Sequence, residues 1–185
     1  MMEAYSTRLR YGAVTQLLHL ITAILVLFAF LYGPGGSEQR VYSAAADPAR
    51  QLHETLGFSV LVLVLLRLLW RAFDATPDNP PMPAWMHLTA RLGHGLLYGL
   101  LLAVPLTAIS GAWLEGHAVT MLTGIRIEPL VAQSHDLGVT IAAIHRWLGD
   151  AILWVAGAHA AAALFHHFVL KDRVLRSMLP VPPLE

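Results

Sequence analysis

The sequence contains no cysteine. That excludes disulfides, thiolate-bound zinc, cysteine-ligated iron–sulfur clusters and covalent haem attachment through Cys-x-x-Cys-His. Charge is scarce as well: 13% of the 185 residues are Asp, Glu, Lys or Arg, about half the ~25% usual in soluble domains. The formal net charge is zero, so there is no basic excess to hold nucleic acid and no acidic excess to mark a solvating tail. Internal repeats and low-complexity linkers are also missing, and a single domain over residues 1–185 is the economical reading. Apolar side chains are what the chain has in abundance. At 56% hydrophobic residues, it belongs in a lipid bilayer.

Four apolar runs are long enough to cross a hydrocarbon core of ~30 Å with ~20 residues each. They cover about 11–32, 53–73, 92–114 and 144–170. The first carries His19 and stops at Gly33-Pro34-Gly35-Gly36, so it reads as a retained span and not as a cleavable signal peptide. The second closes with Arg67 and Arg71, one helical turn apart and able to snorkel to headgroups. A loop with Pro77, Asp78, Pro80, Pro81 and Pro83 follows, and it cannot stay helical. Pro105 within the third span predicts a kink. The polar connection 115–140 is expected to fold over one end of the bundle, with a short helix of its own.

The cationic residues divide unevenly between the two sides. Arg8, Arg10, Arg67, Arg71, Arg91, Lys171, Arg173 and Arg176 fall on one side, and Arg40, Arg50, Arg126 and Arg146 on the other. The richer side is expected to be cytoplasmic. The expected fold is therefore all-α, an integral-membrane four-helix bundle with both termini cytoplasmic.

Histidines carry the chemistry. His145 and His159 lie fourteen residues apart on one span, so they share a helix face about 21 Å apart along the axis. His53 and His145 each open a span that starts at the outer surface, and these two can share one iron. His19 sits eight residues into the first span and His159 twelve before Lys171, depths of roughly 12 and 18 Å that suit a second, inner iron. His94, near the inner start of the third span, is the competitor for His19. Neutral imidazole offers a lone pair to a metal and is a standard axial ligand of haem iron. Four unpaired buried imidazoles would be costly. Gly57, Gly149, Gly157 and Ala158, with Ala160 to Ala163, leave room for a flat macrocycle, although small residues also serve helix packing. His87, His117 and His135 are expected to be solvated loop residues.

These features resemble the bacterial cytochrome b561 family over nearly the whole chain. The resemblance rests on Tyr11-Gly12 ahead of His19, His53 with Gly57, Arg67-Leu-Leu-Trp-Arg71, and Leu92-Gly93-His94. Its most specific part is His159-Ala-Ala-Ala-Ala-Leu-Phe-His166-His167 with Lys171-Asp172, Met178 and Pro180. One departure is Leu20, where members of the family have tryptophan after the first ligand. The resemblance implies two haem b groups, one on His19 and His159 and one on His53 and His145, in a multi-pass protein of the bacterial inner membrane.

It also implies electron transfer between a periplasmic partner and the quinone pool, with ubiquinone as substrate and membrane lipid as surroundings. One branch resembles superoxide oxidase. Arg40, Arg50, Arg126 and Arg146 on the outer side would attract superoxide, or else pair with headgroups or haem propionates. His166, seven residues beyond His159 and next to His167 and Lys171, is the candidate quinone-site residue, because quinone reduction needs hydrogen-bond donors and protons. A second reading is a cytochrome subunit serving a hydrogenase, a dehydrogenase or a small periplasmic electron-transfer protein. A haem-free proton-coupled transporter is disfavoured by the near absence of intramembrane carboxylates and of paired broken helices.

Overall fold

A computed structural model describes residues 9–74, 76–77 and 80–180, without the side chain of Gln39. Arg8 and Asp78, used above for orientation and for the loop, lie outside them. The elements in chain order are α1 (Ala13–Leu31), α2 (Glu38–Val41), α3 (Asp47–Arg71), α4 (Ala84–Leu114), β1 (Val119–Thr120), β2 (Arg126–Ile127), α5 (His135–Phe165) and α6 (Val174–Met178). Beyond Phe165, α5 widens into a π-helical turn, His166–Leu170. α1, α3, α4 and α5 with its π turn are each long and apolar enough to span a membrane.

Three spans begin earlier than the apolar runs indicated. α3 starts at Asp47, α4 at Ala84 and α5 at His135, because hydropathy registers the lipid-immersed part of a helix and not its polar extension into the headgroups. Proline assists two of these starts: it occupies the first turn of α3, and Pro83 precedes α4, where a missing N–H costs nothing. α4 runs unbroken through Pro105. His87 and His135 are helical residues, not loop residues. The connection after α4 holds an antiparallel ribbon, Val119 opposite Ile127 and Thr120 opposite Arg126, in place of the expected short helix.

Packing runs α1 on α3, α3 on α4, and α4 on α5. The buried core is small: Val60, Val64, Leu100, Leu101 and Ile152. Most large apolar side chains point outward, among them Leu17, Leu20, Leu27, Trp147 and Trp154, as they must where the surrounding solvent is hydrocarbon. In α1 the inward face is polar, with Thr15, Gln16 and Thr22 buried. These bond within the protein: Thr15 Oγ1 donates to Asp74, Gln16 Nε2 to the Ser177 carbonyl and Thr22 Oγ1 to the Leu18 carbonyl. The Tyr11 N–H also donates to the Ser177 carbonyl and Arg10 to that of Leu179. The N-terminal and C-terminal segments are therefore joined at one end of the bundle.

At the opposite end α4 and α5 approach through glycine. A Cβ on Gly138 would lie 2.7 Å from Glu115 Cγ and 2.9 Å from the Glu115 backbone nitrogen, and one on Gly111 would lie 3.3 Å from the Ala142 nitrogen. Small residues at such crossings let helix backbones come close. Gly138→Val is expected to destabilise the protein by about 1–3 kcal/mol through overpacking, read as a lowered melting temperature in detergent. Unchanged melting would contradict this close approach.

Candidate functional site

The two histidine groups stand at opposite ends of the apolar core. His53, on α3, and His145, on α5, face each other with ring centroids 6.0 Å apart and planes at 80°. Their Nδ1–H groups donate to backbone carbonyls, His53 to Ala29 at 2.7 Å and His145 to Val104 at 2.9 Å. Fixing the proton on Nδ1 leaves the Nε2 lone pair of each ring available for a metal, the second-sphere arrangement that orients ligating imidazoles.

At the other end His19, on α1, and His159, on α5, have centroids 6.3 Å apart and planes at 87°. His94, on α4, is also there, with its centroid 5.4 Å from that of His159. Metal–nitrogen bonds of about 2.0 Å, with each ring centre about 1.1 Å further back, place two opposed imidazole centroids about 6.2 Å apart. The spacings of His53 with His145 and of His19 with His159 meet that value, and His94 with His159 falls short of it. Arg67 Nη1 approaches His19 Nδ1 at 3.2 Å. Guanidinium can only donate, so His19 carries its proton on Nε2 in this arrangement. Ligation through Nε2 requires Arg67 to withdraw.

Between the two groups lies an apolar septum. Ile152 is seven residues from His145 and seven from His159, and it packs with Val60, Val64, Leu100 and Leu101. Beside His53 a cleft of about 420 Å³ is lined by Gly33, Pro34, Arg40, Val41 and Ala46. Gly33 borders the imidazole, since a Cβ there would lie 3.4 Å from His53 Cε1.

Of the four arginines assigned to this side, two are tied to carboxylates. Arg50 bonds Asp47 and Glu54, and Arg126 bonds Glu128 at 3.0 Å. The ribbon is held over α3 by the Thr120 N–H on Glu54 and by the Leu122 N–H on Thr55 Oγ1, the latter at 3.0 Å. His117 is a loop residue, as expected, but it is half-buried and partnered. It stacks on Tyr42 with centroids 3.5 Å apart, and its Nε2 lies 3.0 Å from Glu38 Oε1. Burial, then the nearby Glu54 and Glu115 carboxylates, push the Tyr42 phenol well up. Burial and then Glu38 push the Glu115 carboxyl above the usual carboxylate range. This group escaped sequence reading because its members come from α2 and the turn after it, α3 and the end of α4, with no common spacing.

His166 opens the π turn, and its Nδ1 lies 2.5 Å from Asp172 Oδ2. Lys171 ends the turn in the left-handed region, φ 55° and ψ 33°, a conformation that costs a non-glycine residue energy. It brings Asp172 back under His166. A second cleft at this end is lined by Tyr11, Arg67, Trp70, Tyr98 and Met178, and His166 is not part of its lining.

Comparison with known proteins gives the family. The family model for prokaryotic cytochrome b561 matches residues 10–181. Cytochrome b561 homolog 1 of Escherichia coli (strain K12) is 31% identical over 92% of this chain and 97% of its own. The probable superoxide oxidase CybB of Yersinia pestis is 29% identical over 92% and 96%. Cytochrome b562 of Cereibacter sphaeroides is 34% identical over 91% and 94%. With four spanning helices, an all-α bundle and paired histidines, the chain belongs to the prokaryotic cytochrome b561 family, multi-pass membrane haem proteins of electron transfer.

Proposed function

We propose that this chain is a single-domain, di-haem cytochrome b that takes electrons from a one-electron donor outside the membrane, superoxide among the candidates, and delivers them to ubiquinone. The observation that carries this reading is the pair of histidine couples, 6.0 and 6.3 Å between centroids, at opposite ends of one bundle. In it, His53 and His145 would hold the outer haem b, and His19 and His159 the inner one. Haem iron bound there supplies reversible one-electron oxidation and reduction.

The chain's own residues do the rest. The Ala29 and Val104 carbonyls hold His53 and His145 in the ligating tautomer. Arg67, on leaving His19, is placed to neutralise an anionic haem substituent. The septum around Ile152 and Val64 keeps water and protons from following the electrons. At the inner end the His166–Asp172 couple is a proton source for a quinone: with both ring nitrogens protonated, Nδ1–H donates to the Asp172 carboxylate, which steadies the imidazolium, and the Nε2 proton passes to the quinone oxygen as it is reduced. Among the described residues, seven of the eleven cationic side chains belong to the end where Tyr11 meets Ser177, which supports taking that side as cytoplasmic and the side of His53 and His145 as outer.

The superoxide assignment draws on the probable superoxide oxidase among the relatives and on Arg40 at the cleft beside His53. A relay to a protein partner is the second reading. It is favoured by the ion pairs that occupy Arg50 and Arg126, which lessen the free positive field available to a small anion. The deciding experiment is ubiquinone reduction by isolated, haem-loaded protein under a superoxide flux. Reduction faster than in a haem-free control is expected, and reduction only on adding a protein partner would replace the oxidase with the relay.

A further inference from the structure

We propose that Glu38, Glu115, His117 and His135 form a binding site for a divalent cation of the zinc class, clasping three segments of the chain over the end that holds His53 and His145. The site is separate from the haem ligands and does not depend on their assignment.

Three elements supply the donors. Glu38 comes from α2, Glu115 and His117 from the end of α4 and the turn after it, and His135 from the first turn of α5. Ligand atoms of Glu38, Glu115 and His117 all lie within 4.8 Å of one another. Glu38 presents one oxygen to each imidazole, Oε1 at 3.0 Å from His117 Nε2 and Oε2 at 3.7 Å from His135 Nδ1. A tetrahedral ion with bonds of about 2.0–2.1 Å has ligand-to-ligand edges of about 3.3 Å. The two imidazole separations lie near that edge but use different oxygens of Glu38, so closing the site takes a rotation of that carboxylate together with movement of the Glu115 and imidazole side chains.

Chemistry and charge point the same way. Two imidazoles with two carboxylates are a borderline N2O2 set, suited to zinc more than to magnesium or calcium, which prefer oxygen alone. Glu115 is buried to 8% exposure beside the half-buried Glu38. Two carboxylates drawn together out of water repel unless a cation or a proton lies between them. Where no metal is bound, His117 Nε2–H donates to Glu38, and a metal bound through that nitrogen displaces the proton. The geometry is also fixed from outside: Tyr42 stacks on the His117 ring, and Gly138 lets the start of α5 close against Glu115. A clasp on Glu38 holds α2, whose Arg40 lines the cleft beside His53.

The test uses haem-loaded full-length protein in detergent, stripped with a chelator and titrated with zinc against a chromogenic competitor. One zinc per chain is expected, with a zinc-edge absorption spectrum showing imidazole and carboxylate donors at about 2.0 Å. Glu38→Gln and His117→Gln are each expected to weaken zinc binding at least about tenfold, and the haem absorption spectrum confirms that each variant is folded. His135→Gln, at an exposed ring, serves if the others fail to fold. Equal zinc affinity in the wild type and the folded variants would mean adventitious zinc only, and would overturn the site. So would a wild-type spectrum without imidazole donors.

Discussion

His145→Ala is expected to halve the haem content of the purified protein, and His53→Ala to remove the same haem. The reduced-minus-oxidised spectrum and the pyridine haemochrome assay measure the content, and the surviving low-spin signal in electron paramagnetic resonance shows which site remains. The two substitutions must act alike because their rings face each other at 6.0 Å and each is locked by a carbonyl in the ligating tautomer. Neither ring alone completes a six-coordinate iron. A ligand present at 1,000 times its dissociation constant stabilises a fold by about 4 kcal/mol, so each variant should also melt at a clearly lower temperature. If the two variants lose different haems, the outer pairing is wrong.

The second large effect lies at the other end, where three imidazoles converge. His159→Ala is expected to abolish the second haem, His19→Ala to do the same, and His94→Ala to leave it in place. The distinction rests on spacing: 6.3 Å between the His19 and His159 centroids accommodates a metal between opposed rings, whereas 5.4 Å for His94 is short of the ~6.2 Å required. Haem retained in His19→Ala but lost in His94→Ala would transfer the ligand role to His94. Arg67 gives an independent check. It donates to His19 Nδ1 at 3.2 Å and must release that nitrogen on loading. Arg67→Met should therefore still take up the inner haem, although His94→Ala and Arg67→Met together leave only His19 and His159 at that end.

Much of this arrangement was legible in the residues themselves. Four apolar runs marked four spanning helices, and the fourteen-residue interval from His145 to His159 placed two imidazoles on one helix face. Depth counting paired His53 with His145, and the structure brings those two together. The polar ends of α3, α4 and α5 were missed because hydropathy ends where the lipid ends, while backbone hydrogen bonding continues into the headgroup layer. The ribbon was missed for a related reason. Its strands are two residues each, too short for a period-two pattern, and they are held by side chains of α3, not by their own propensity. Depth favoured His19 over His94 but did not show that all three rings meet, since counting along a helix says nothing about its rotation relative to a neighbour.

Sequence by itself determined the bilayer as solvent, the number of spans, the absence of thiol chemistry and which imidazoles lie on the spanning helices. Each of these follows from residue type and from distances along one helix. Tertiary structure alone decided which carbonyl fixes which imidazole, that His94 joins the inner pair, and that Arg67 sits on His19. It alone also gathered Glu38, Glu115, His117 and His135 into one cluster. The physical reason is that these relations depend on how helices rotate and approach when they pack, through contacts such as Gly111 against Ala142 and Gly138 against Glu115, and no spacing along a single segment encodes them.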